Sequence, residues 1–133
     1  MMRQDASPDF RIGDRHGTDH ADVERRHVAD HVEVSREHLT AYEELFSRQG
    51  SEHALLADRH VAEREKATDR PLASKTALST RHAAQHAWLE LRHASQLAQV
   101  TARHAVERIR MDRSHVVELL AQERRHALED RHR

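Results

Sequence analysis

Cysteine is absent from this chain of 133 residues, which excludes disulfides, thiolate metal sites and thiol catalysis. Glycine and proline are scarce, three and two residues, and large rings scarcer still, with one Trp, one Tyr and two Phe. Few turn formers and few bulky apolar groups exclude a compact globule with several covered faces. They leave long helices with narrow buried stripes. No apolar run approaches the roughly 20 residues that a membrane span needs. The first dozen residues mix Arg3 and Arg11 with Asp5 and Asp9 and hold no apolar stretch, against a secretory or transit segment. A cytoplasmic location is the default expectation, with no membrane partner. Lys and Arg number 22 against 23 Asp and Glu, so no bulk positive charge draws in nucleic acid, and none is expected as a partner.

What the chain has is histidine, and its histidines are periodic. His16, His27, His38, His60, His82, His93, His104, His115 and His126 are separated by multiples of eleven, with Gln49 and Pro71 in the two skipped places. His20, His31, His53 and His86 sit four residues further on, and His132 alone stands outside the scheme. Numbering slots from each leading histidine, slot eleven is usually Arg (Arg15, Arg26, Arg59, Arg81, Arg92) and slot four is usually acidic or amide. Slot eight is aliphatic (Val23, Val34, Leu45, Leu56, Leu89, Val100), and slot two is small or aliphatic (Val28, Leu39, Val61, Ala83, Val116).

Eleven residues in three turns advance about 98° each, so equivalent slots align along a nearly straight helix. Slots eight, one, five, nine, two and six then span one side, from roughly 327° through 0° to roughly 131°. The histidines lie within the apolar stripe, and slots eleven and four share the neighbouring charged face. Arg15 precedes Asp19 by four residues, as Arg26 precedes Asp30 and Arg59 precedes Glu63. Such pairs can meet on one helix, worth about 0.2–0.5 kcal/mol each, and across an interface they would set register.

This pattern resembles the hendecad class of coiled coils, over roughly residues 14 to 132. The resemblance implies a straight or slightly right-handed coiled coil, and no particular family's motif accompanies it. The expected fold is all-α: an N-terminal arm over 1–13, with Pro8 and Gly13, then a helical repeat region over 14–133. Gly50-Ser51 could end one helix and cap the next or sit inside a continuous one. Asp69-Arg70-Pro71 is the stronger break, because an interior proline costs about 3 kcal/mol. The repeat crosses Pro71 without losing phase, so a continuous helix kinked there is the first expectation and a two-helix hairpin the second. Trp88 and Phe46 read as knobs at helix contacts.

The expected function is structural: a self-assembling coiled coil, associating with copies of itself, that serves as an oligomer, scaffold or filament element. No enzyme activity is expected, because the histidines repeat along a line with no distinctive nucleophile beside them. The alternative is metal binding. His16 with His20, His27 with His31 and His82 with His86 are i, i+4 pairs whose imidazoles can share Zn, Ni or Cu on one helix face. The glutamate that follows the first histidine in helical zinc proteases is missing, since Gly17, Val28 and Ala83 stand there. No resident cofactor is expected beyond such an ion.

Overall fold

The computed structural model describes the backbone of residues 8–131 and the side chains of residues 15–131. It is all-α. Helix α1 runs Pro8–Lys66 and helix α2 Leu72–Arg131, with no strand among the described residues. Of the arm expected over 1–13, residues 1–7 lie outside the described residues, as does His132, and Pro8 to Gly13 form the first turns of α1. The continuous kinked helix is not what forms. The chain turns between Lys66 and Leu72, so the hairpin is the arrangement adopted.

The turn follows from local chemistry. Pro71 has no N–H to donate and disfavours helical backbone at Arg70 before it. The carbonyls ending α1 are taken up in tightened turns: the Ala67 amide is shared between Glu63 O (3.1 Å) and Arg64 O (3.2 Å), and the Thr68 hydroxyl donates to Glu65 O (2.9 Å). The Arg70 amide then reaches Ala67 O, and the Lys75 amide reaches Pro71 O, which opens α2. No described residue has a positive φ, so the reversal needs no left-handed position. Gly50 and Ser51 interrupt nothing. Ser51 donates its hydroxyl to Ser47 O one turn back, as a helix-interior serine does, instead of capping a new helix.

The chain divides into two compact units. The turn unit, His38–His104, contains the ends of both helices that flank Pro71; the terminal unit comprises Met1–Glu37 and Ala105–Arg133. Within each unit the helix segments run antiparallel, slot one against slot one. In the turn unit His38 meets His104 and His60 meets His82; in the terminal unit His16 meets His126 and His27 meets His115. The partners in each pair are equidistant in sequence from Pro71. The span from His60 to His82 is two repeats, turn included, which is why the 11-residue phase survives the break.

Slots eight and one supply the core. Val23, Leu45, Leu56 and Ala67 are its buried apolar members, but the buried polar residues outnumber them: six histidines together with Gln49 and Gln122. Slot two, expected within the covered stripe, is left out of it, with Val28, Leu39, Val61 and Val116 all exposed. Slots eight to five span an arc of about 66°, and slot two stands about 65° further round. The facing helix covers slots eight and one, and slot two lies outside that cover. Phe46 and Trp88 are likewise exposed.

Candidate functional site

The side chains with chemistry in this molecule form layers across the helix pair. In the terminal unit the rings of His16 and His126 stack with centroids 3.5 Å apart and planes 6° from parallel. His16 Nε2 lies 3.0 Å from Glu129 Oε2, and His126 Nε2 lies 3.2 Å from Asp19 Oδ2. A carboxylate only accepts, so each Nε2 carries the proton. The next layer repeats the plan: His27 stacks on His115 at 3.5 Å, His115 Nε2 faces Asp30 at 3.3 Å, and His27 Nε2 faces Glu118 at 3.6 Å. His31 adds a third ring, edge-on to His115, and its Nε2 is 3.1 Å from Asp112.

In the turn unit His38 and His104 stack at 3.6 Å, with Tyr42 edge-on to His104 and its hydroxyl hydrogen-bonded to Thr101. Gln49 takes the slot-one place in the next layer and donates its amide to His93 O and Gln96 Oε1. His93 donates Nε2–H to Glu52, which fixes the neutral ring's Nδ1 as the acceptor for His53 Nε2 at 3.2 Å. The same relay recurs where His60, stacked on His82, uses Nε2 on Gln85 (2.7 Å) and Nδ1 on His86 Nε2 (3.1 Å). His82 Nε2 completes that layer on Glu63 at 3.0 Å.

Arginine joins at the exposed edge. The Arg before a slot-one histidine reaches the same slot-four acid of the facing helix: Arg15 on Glu129, Arg26 on Glu118, Arg81 on Glu63 and Arg92 on Glu52. The Arg-acid ladder expected along single helices is therefore strung across the pair. Arg15 meets Glu129 rather than Asp19, and Arg26 meets Glu118 rather than Asp30. Glu129 and Glu118 each face a ring and the arginine before it, His16 with Arg15 and His27 with Arg26, while Asp19 and Asp30 face the rings of His126 and His115. The consequence shows in three carboxyls. Glu63 is held below its ordinary value first by the hydrogen bond from His82, against an opposing push from burial, with Arg81 adding to the lowering. Glu52 responds in the same way to His93 and Arg92, and Glu129 to His16 and Arg15.

The six histidines singled out as metal ligands all take part in these layers or flank them, but not as i, i+4 pairs. His16 turns to Glu129 while His20 turns to Glu24. His27 packs on His115 and faces Glu118, while His31 turns to Asp112. His82 turns to Glu63, while His86 reaches across to His60. Three of the four slot-five rings meet the facing helix, His31 beside His115, His53 beside His93 and His86 beside His60, while His20 pairs within its own helix. The spacing that puts two rings on one face could not reveal this, because it says nothing of what lies opposite. Asp112 and His115 were missed for the same reason. Compared with protein-family models, curated proteins and solved structures, the chain matches none.

Proposed function

We propose that this chain is a structural, self-associating helical element whose partner is a second copy of itself. The observation that carries the proposal is the apolar face left uncovered by the helix pairing. In an antiparallel pair, one slot points to the same side from both helices, because a two-fold axis relates the two. In the terminal unit slots two and six place Val28 and Val32 of α1 and Ile109, Val116 and Leu120 of α2 on that side, all of them exposed. In the turn unit the same slots hold Leu39 and Val61 of α1 opposite Ala83, Ala87, Ala94 and Ala98 of α2, large side chains against small.

Area supports the same reading. The chain exposes 10413 Å², where a folded monomer of its 15.4 kDa would expose about 7,200 Å². Covering an exposed Val or Leu contributes on the order of 1.5–3 kcal/mol. A net charge of −1 sets no repulsion between copies. Among the described residues no helix is long and apolar enough to cross a membrane. The proposal assigns the chain no catalysis, no resident cofactor and no nucleic-acid partner, and it makes the coiled-coil, 11-residue-repeat character of the helices the basis of assembly.

Sedimentation of the purified chain in the presence of a chelator tests it. The expected result is an oligomer with full helix content. Val116→Asp with Leu120→Asp should reduce it to monomers that remain helical, since both side chains are exposed within the hairpin. A parent chain that stays monomeric at hundreds of micromolar overturns the proposal.

A further inference from the structure

The geometry points to a three-donor site for a borderline divalent transition ion, zinc, nickel or copper, formed in the terminal unit by His31 of α1 with Asp112 and His115 of α2. Among the described residues this is the one group of three His, Asp or Glu whose donor atoms all lie within 4.8 Å of one another. Imidazole nitrogen with a carboxylate oxygen is the donor set such ions accept.

The spacing fits. His31 Nε2 and Asp112 Oδ1 are 3.1 Å apart. Two donors bound to one ion at about 2.1 Å lie about 3.0 Å apart at a right angle and about 3.4 Å apart at a tetrahedral angle. His115 is held ready from behind: it is buried, it stacks on His27, and Asp30 accepts from its Nε2, which leaves Nδ1 for the site. A carboxylate on the far nitrogen is how ligating histidines are commonly oriented. His31 and Asp112 are exposed, so they can close the remaining distance by side-chain rotation and an ion can enter from solvent.

The neighbouring layers differ from this one. Where His53 faces His93, Glu90 stands three residues before His93 as Asp112 does before His115, but His53 Nε2 is taken up by His93 Nδ1. Tyr42 replaces the slot-five ring beside His104, where the facing residue is Thr101, and His60 is preceded at that distance by Ala57. Both ligating helices belong to one chain, so the site does not depend on self-association and should load one ion per chain.

Calorimetry with Zn²⁺ on the full chain, in a buffer that does not bind metal, reads the tightest site above the weak binding of the other histidines. His31→Gln or Asp112→Asn should weaken that site at least tenfold and leave circular dichroism unchanged, both residues being exposed. The i, i+4 control, His16→Gln with His20→Gln, should leave it within twofold. Substoichiometric Cu²⁺ should broaden the ring resonances of His31 and His115 before those of the other histidines. No measurable tight site in the parent, equal affinity in His31→Gln and Asp112→Asn, or a loss that instead follows His82→Gln with His86→Gln would overturn the assignment.

Discussion

At the scale of single residues, the buried imidazole is the unit of construction. His60 is 2 % exposed, stacks on His82 and spends both ring nitrogens on partners. His60→Ala removes the stack and leaves Gln85 and His86 without partners, so it should cost about 2–4 kcal/mol in denaturant unfolding. His60→Gln should cost less, because Gln49 already fills a slot-one place through its amide. Equal losses in the two variants would mean that shape alone matters there. The acids add a pH dependence of known sign. The carboxyls of Glu52, Glu63 and Glu129 are lowered in the fold from the ordinary 4.5. Their contribution is complete above that value and disappears as pH falls through the lowered folded values. Glu63→Gln should therefore flatten the acid limb of the stability profile below about pH 4.5; an unaltered limb would show the His82 and Arg81 contacts to be without thermodynamic weight.

At the scale of the helix, Gly50 is a weak point that nothing requires. It is exposed in the interior of α1, and a Cβ there meets nothing within 4 Å. Gly50→Ala should raise stability by about 0.5–1 kcal/mol and the melting temperature by a few degrees. A lower melting temperature would point to an unseen role for its backbone freedom. Sequence made the helices and their inward side legible, because an 11-residue period carries angular information: slots eight and one do form the core. It also exposed Pro71 as the breaking point. The partners stayed hidden. Periodicity within a strand of sequence cannot say that Arg15 will prefer Glu129 to Asp19, or that His31 will find Asp112, since those choices depend on which helix lies opposite and in what register. The same gap explains slot two, whose side chains were expected in the covered stripe and are exposed on the helix pair.

At the scale of the whole molecule, that uncovered slot separates two kinds of substitution. Charges at Leu89 and Val100, half-buried between α1 and α2, should unfold the pair itself. Charges at Val116 and Leu120 should separate copies and leave each one helical. Circular dichroism beside sedimentation distinguishes them, and loss of helix in the second set would place those residues in the fold instead of the assembly.

The symmetric placement of paired residues about Pro71 has one more result. Every slot-one contact joins positions equally far from the turn, so two chains laid antiparallel, each straightened through residue 71, would make the same contacts between molecules that one chain makes within itself. Exchange of arms is then opposed by little besides the proline and the concentration of chains. Pro71→Ala removes the first obstacle, and the repeat already runs through that position in phase. The variant should populate a domain-swapped dimer that grows with protein concentration and exchanges slowly with the hairpin. A Pro71→Ala chain with the parent's mass at every concentration would show that the turn is held by more than its proline.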